Sequence, residues 1–338
     1  MTPLAASRLT LTGIGLLVLL VVATGHGSSA MPPLRVIAAL LGEGTRMDEV
    51  IVWTLRLPRI CLAVLCGMAL ALAGALLQRV TRNPMAAPSI LGVTDGAAFG
   101  VVAFLWVFSD AGNSLTVSIH WQPMAAALGA FAFAGIVAVM VRLDPAGKGP
   151  LRMILYGVAL AALAKAMVTL MMILGPVYRA SQALTWITGS VGAAHWSDVM
   201  ILAAGLLLCV PVLWLMRHDL RQLSLDPESA FSSGLSTGRS QAAFLALSVL
   251  LTALAVSQVG AVGFIGLIAP HAARLLHGQF TPGYLASTAL IGGALLLGAD
   301  TLARTVAPPL ELPAGALTAL VGAPLFLWLL MKGRAVHA

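Results

Sequence analysis

Residues 57 to 77 form an apolar run interrupted only by Arg59 near its start, and about twenty such residues cross a hydrocarbon core as a helix. The run ends at Gln78. Arg79 and Arg82 follow, and then Asn83-Pro84-Met85-Ala86-Ala87-Pro88, whose prolines remove backbone donors and forbid continuation of the helix. Backbone of that kind survives at membrane depth only beside protein or a water-lined cavity. Further apolar spans recur near 9–23, 90–108, 122–141, 151–174, 198–216, 241–260, 263–276, 285–305 and 312–331. The expectation is therefore an all-α polytopic membrane protein with about ten transmembrane helices, a single transmembrane domain over 1–338.

Composition agrees. Hydrophobic residues make up 59% of the chain and charged residues 9%, with mean hydropathy +0.98, whereas a soluble domain is about a quarter charged. The net charge of +7 does not point to nucleic acid, because the basic residues stand singly at the ends of apolar runs. Their distribution selects a topology. With both termini cytoplasmic, twelve Arg and Lys fall at inner ends and six at outer ends, the latter being Arg35, Arg46, Arg56, Arg59, Arg179 and Arg304. Arg8, the run at 9–23 and Ser28-Ser29-Ala30 imitate a signal peptide, but the apolar helices that follow favour a retained first span. Cys61, Cys66 and Cys209 lie inside apolar segments without ligand spacing and read as small buried hydrophobes.

Residues 26–55 are an outer loop with a short interfacial helix, and 175–197 hold another short helix near Trp186 and Trp196. The polar stretch 217–241 is the longest soluble segment after the first loop. Within it, Leu225, Asp226, Glu228, Ala230 and Gly234 mark a short helix: Asp226 is the N-cap, Pro227 takes the first helical position, and Gly234 ends it. That stretch reads equally as a partner-docking surface or a plain connector. No GxxxxGK[ST] loop occurs, so energy must come from a partner or an ion gradient. No HExxH, no GxSxG and no metal-ligand cluster is present, so no catalytic residue and no metal site are assigned. Arg56, Arg59 and Arg304 defy the charge bias and suit an acidic partner, although headgroup contact or pairing of Arg304 with Asp300 at i,i+4 explains them as well. Lys165, alone in the run 151–174, either snorkels or faces a cavity.

The blocks RLPR, RNPMAAPSILGVTDGAA, GFIGLIAPHAARLLHG, GADTLAR and ELPAGALTALVGAPLFLWLL, in that order, resemble the FecCD permeases of bacterial iron-siderophore, haem and cobalamin ABC importers. The resemblance implies a type II ABC importer permease fold with pseudo-symmetric inverted halves, in which the broken segments 83–100 and 257–271 correspond. It implies a second permease copy (homodimer) or a related permease, two ATPase subunits carrying ATP and Mg, and a periplasmic or lipid-anchored substrate-binding protein. Arg56, Arg59 and Arg304 would then meet glutamates of the binding protein, and a loop near 217–238 would couple to the ATPase. Asn83 and Met85 match positions that narrow the cytoplasmic end of the pathway in the cobalamin member, with methionine where that protein has leucine. A second constriction near Pro150 and Leu151 has no match here.

The expected function is the membrane subunit of an importer for a ferric siderophore or similar iron complex in the bacterial inner membrane, with no cofactor in this chain. A haem or cobalamin permease of the same family is the nearer alternative, and an ion-coupled secondary transporter the alternative of another class.

Overall fold

The computed structural model describes residues 3–27, 31–110, 114–145, 150–175, 177–278, 283–308 and 310–334. In chain order the helices are α1 (Pro3–Gly25), α2 (Pro33–Leu41), α3 (Arg46–Val50), α4 (Leu57–Val80) and α5 (Val93–Val107). Next come α6 (Gln122–Leu143), α7 (Pro150–Leu174), α8 (Val177–Thr188), α9 (Trp196–Leu215), α10 (Arg217–Gln222) and α11 (Pro227–Ser232). The chain finishes with α12 (Thr237–Val259), α13 (Ile265–His277), α14 (Tyr284–Thr305) and α15 (Ala314–Arg334). Every apolar run read from the sequence becomes a helix. Among the described residues seven helical segments are long and apolar enough to cross a membrane, and α5 and α15 supply shorter apolar helices.

The entrance to α4 differs from expectation. Helix begins at Arg46, with Thr45 as N-cap accepting from the Asp48 amide at 3.3 Å, and passes through a π-helical turn, Ile51–Arg56, into α4. A wider turn just before Pro58 accommodates the missing proline donor, so the RLPR block lies inside a continuous helix instead of opening one. Met31, Val36, Ala39 and Val52 close a small core under this segment.

The chain divides into two compact units, one formed by Met1–Ala71, Thr188–Ile201 and Val262–Ala338, the other by Leu72–Ile187 and Leu202–Ala261. In the first, α14 packs on α1, α13 and α15. A Cβ at Gly67 of α4 would sit 2.2 Å from the Gly292 carbonyl of α14, so these helices touch backbone to backbone. Close approach of small residues is what binds helices in lipid, where apolar burial between them gains little. In the second unit, α5 packs on α6 in the same manner, since a Cβ at Gly100 would meet the Ala125 carbonyl at 2.2 Å. Large apolar side chains left exposed, such as Leu17 of α1, Leu170 of α7 and Leu207 of α9, form the surfaces suited to hydrocarbon.

Both predicted breaks are real. After α4 the chain is irregular to a short 3₁₀ turn, Pro88–Leu91, and α5 starts behind Gly92. After α12 it is irregular from Gly260 until α13 starts behind Phe264. Arg82 (φ +51°) and Phe264 (φ +65°) are the non-glycine residues in the left-handed region among those described, one in each break. Each such residue costs roughly 1–2 kcal/mol of steric strain.

Candidate functional site

Two groups of arginines and one lysine gather the charged contacts of the residues singled out in the sequence. The first group lies in the unit built around α14. Arg59 grips the fully buried Asp300: its Nε donates to Oδ1 and Oδ2 at 3.0 Å, and its Nη2 donates to Oδ1 at 2.9 Å. Its Nη1 donates to Oε2 of Glu311 at 2.8 Å. Arg304 lies one turn beyond Asp300 on α14, 3.7 Å from Oδ2, so the i,i+4 pairing expected from sequence is present as an ion pair. One buried carboxylate thus serves two arginines.

Arg304 Nη2 also donates to the Ala23 carbonyl at 2.8 Å, and Arg56 Nη1 donates to the Thr24 carbonyl. Those carbonyls belong to the last turn of α1, where unsatisfied oxygens and the helix dipole favour a cation. Arg304 Nε is buried and makes no hydrogen bond among the described residues. Above these side chains opens a cavity of about 310 Å³, lined by Arg56, Arg59, Arg304, His195 and Glu311. Gly27, Gly192, Ala193 and Ala194 also line it, and a side chain at Gly27 would touch both the Arg304 and Arg56 guanidiniums at 3.5 and 3.6 Å. Small residues keep the cations reachable. The three arginines singled out in the sequence therefore converge, but Arg59 and Arg304 are held by carboxylates and are not free surface charges.

The second group lies in the other unit, at the end of α4. This helix closes in a Schellman motif: the Asn83 amide donates to the Gln78 carbonyl at 3.1 Å and the Arg82 amide to the Arg79 carbonyl at 3.2 Å, which puts Arg82 at the left-handed position usually held by glycine. Asn83 Oδ1 then accepts from the Met85 amide at 2.9 Å, fixing the turn that leaves Met85 partly exposed. Arg79 is buried and donates from Nε to the Leu220 carbonyl at 2.9 Å and from Nη2 to the Arg221 carbonyl at 3.0 Å. Arg82 Nη2 donates to the Leu225 carbonyl at 2.9 Å.

The loop is built as its sequence suggests. Asp226 caps α11, accepting from the Ser229 amide at 3.3 Å and from Ser229 Oγ at 2.8 Å. Gly234 is left-handed (φ +84°), and the Leu235 amide closes on the Ala230 carbonyl at 3.2 Å. Leu220, Leu223, Ala230 and Leu235 are buried beneath the loop while Leu225 is exposed. The side chain of Glu228 lies outside the described residues. Asp219 accepts from Ser240 Oγ at 3.0 Å, fastening α10 to α12.

Lys165 of α7 pairs with Asp95, in the first turn of α5, with Nζ 3.7 Å from Oδ1. Its side chain is 72% exposed and that of Asp95 19%. Sequence reading singled out the lysine and missed the aspartate. Glu311 and the reach of Asp300 to Arg59 were missed too, although carboxylates in apolar stretches are the signal that flags them.

A family model for the FecCD transport family matches residues 15–332. The chain belongs to the FecCD transport family. A Bacillus subtilis protein named "Probable siderophore transport system permease protein YfhA" is 42% identical over 318 residues, covering 93% of this chain and 91% of its own length. The Fe(3+)-citrate import system permease protein YfmE of Bacillus subtilis is 39% identical, with coverage of 93% and 92%. The achromobactin transport system permease protein CbrC of Dickeya dadantii is 38% identical, with coverage of 97% and 92%. Among solved structures, a metal-chelate type ABC transporter in an inward-facing conformation superposes with TM-score 0.82 at 29% identity, covering 97% of this chain and 99% of that one. This FecCD chain therefore has the fold of an ABC importer permease, a transport subunit built of membrane helices.

Proposed function

We propose that this FecCD chain is the membrane-spanning permease of an ABC importer that carries a ferric siderophore or a similar iron complex across the bacterial inner membrane. The observation that carries the reading is likeness along nearly the whole chain to permeases named for siderophore, ferric-citrate and achromobactin transport. Two ATPase subunits supply the energy, a binding protein delivers the complex, and a second permease copy or a related permease completes the pathway. Both termini are cytoplasmic, the side favoured by the arginine and lysine distribution.

In this reading the cavity receives a carboxylate of the binding protein. Among the described residues three guanidiniums and two carboxylates meet there. The loop of α10 and α11 meets the ATPase, with Leu225, Asp226, Glu228, Ala230 and Gly234 shaping its contact. The turn at Asn83 and Met85 narrows the inner end of the pathway. Lys165, too exposed for hydrocarbon, faces the aqueous pathway and attracts an anionic complex, while Asp95 fixes its position. No bond is made or broken in this chain. Transport is alternating access driven from the partner subunits.

The test is uptake of radiolabelled ferric citrate and of a ferric hydroxamate into proteoliposomes holding the permease with its ATPase and binding protein. ATP-dependent uptake of either that survives an ionophore is the expected result. Uptake without ATP that an ionophore abolishes would instead support a secondary transporter.

A further inference from the structure

Arg79 and Arg82 both donate to main-chain carbonyls of the loop. Leu220 and Arg221 stand at the last turn of α10, and Leu225 stands immediately before Asp226, the N-cap of α11. The two arginines therefore hold both loop helices from one place, the end of α4. That place adjoins the turn of Asn83 and Met85, and Arg82 is itself a member of the Schellman motif that starts the turn.

The backbone of Arg82 adds an independent observation. Glycine satisfies the left-handed position of a Schellman motif without strain, yet arginine occupies it here. A strained residue in a structured turn points to a role for its side chain, and the only contact of that side chain among the described hydrogen bonds is the Leu225 carbonyl. Both Ser248 Oγ, which donates to the Ala73 carbonyl at 2.8 Å, and the buried Arg79 fasten this end of α4 within the same compact unit, so the turn cannot shift without α4.

We propose that Arg79 and Arg82 are the positioning residues that transmit movement of the loop 217–238 to the constriction at Asn83 and Met85. The inference rests on the reading in which that loop meets the ATPase and the turn at Asn83 and Met85 narrows the pathway. Arg79 acts as a two-point clamp on the C-terminal carbonyls of α10, where a cation also complements the helix dipole. Arg82 acts as a single strut to the entrance of α11. Displacement of α10 and α11 by the ATPase then pulls on the backbone that shapes the gate, with no need for the loop to touch Asn83 or Met85.

The experiment is the number of ferric citrate molecules imported per ATP hydrolysed in proteoliposomes of the complete complex, with thermal stability of each purified complex measured alongside. Arg82→Gly is the decisive variant, because it relieves backbone strain while deleting the strut. Stability at or above wild type with import per ATP lowered roughly tenfold, the scale of one lost charge-assisted hydrogen bond, is the expected result. Arg82→Lys keeps a charged donor and should retain most coupling, whereas Arg79→Lys replaces the planar fork that spans two carbonyls with a shorter ammonium and should lose much of it. Wild-type import per ATP in Arg82→Gly and Arg79→Lys would overturn the proposal. Deletion of residues 226–233 separates the two levels. If the deletion uncouples and the arginine variants do not, the transmission proposal fails alone; if the deletion stays coupled, the loop is only a connector and both fail.

Discussion

The cavity arginines and the loop arginines use the same guanidinium chemistry on different acceptors. Arg59 and Arg304 share the buried carboxylate of Asp300, and Arg59 also holds Glu311. Arg79 and Arg82 hold the carbonyls of Leu220, Arg221 and Leu225. A carboxylate partner cancels charge, and an exposed one such as Glu311 can be exchanged for another anion that arrives from outside, which suits a surface meant to bind and release an acidic partner. A carbonyl partner brings no counter-charge and belongs to the main chain, so the bond ties one piece of backbone to another. The first arrangement suits recognition and the second suits transmission of movement.

The sharpest break in this comparison is Asp300→Ala. Removing a buried carboxylate that serves two arginines leaves uncompensated charge and should cost about 3–5 kcal/mol of stability. Thermal unfolding of the purified variant in detergent checks it, and a Tm equal to wild type would show that the cavity cations need no internal anion. The same argument rules out Arg59→Glu as a clean probe of docking, because it would set a third carboxylate against Asp300 and Glu311.

Glu311 gives the cleaner probe. It is 45% exposed, so its pair with Arg59 contributes no more than about 1 kcal/mol and Glu311→Gln should leave Tm nearly unchanged. The variant frees Arg59 for an incoming carboxylate, and association with the binding protein should tighten several-fold at low salt, an effect that fades as salt is raised. Weaker association, measured by surface capture of the binding protein, would mean that Glu311 itself contacts the partner. The smallest effect is expected at Lys165, which belongs to neither arginine group. Lys165→Met should lower uptake of an anionic ferric complex a few-fold relative to a neutral one, the size of one exposed charge. Equal uptake of both would place the lysine outside the pathway.

Much of the fold was legible because it follows from run length and hydropathy. All ten apolar runs became helices, and the breaks after Arg82 and near Gly260 follow from Pro84, Pro88 and the glycines. The helical start at Arg46 was missed because Arg46, Asp48 and Glu49 look like a solvated loop, whereas Thr45 caps them into a turn. The caps at Asp226 and Gly234 were readable because capping depends on residues a few positions apart. Partners distant in sequence were not. Arg59 and Asp300 are 241 positions apart, and nothing local joins Lys165 to Asp95. The bonds of Arg79 and Arg82 were the least readable, since a carbonyl acceptor carries no residue signature.

The measurement that bears most directly on this division of labour follows import of ferric citrate and release of phosphate together, across a titration of binding protein, in proteoliposomes of wild type, Glu311→Gln and Arg82→Gly. Glu311→Gln should shift the half-saturating concentration of binding protein and leave import per ATP at the wild-type value. Arg82→Gly should leave that concentration where it is and lower import per ATP. If the cavity variant changes the ratio and the loop variant changes the half-saturating concentration, the assignment of recognition to one group and transmission to the other is contradicted.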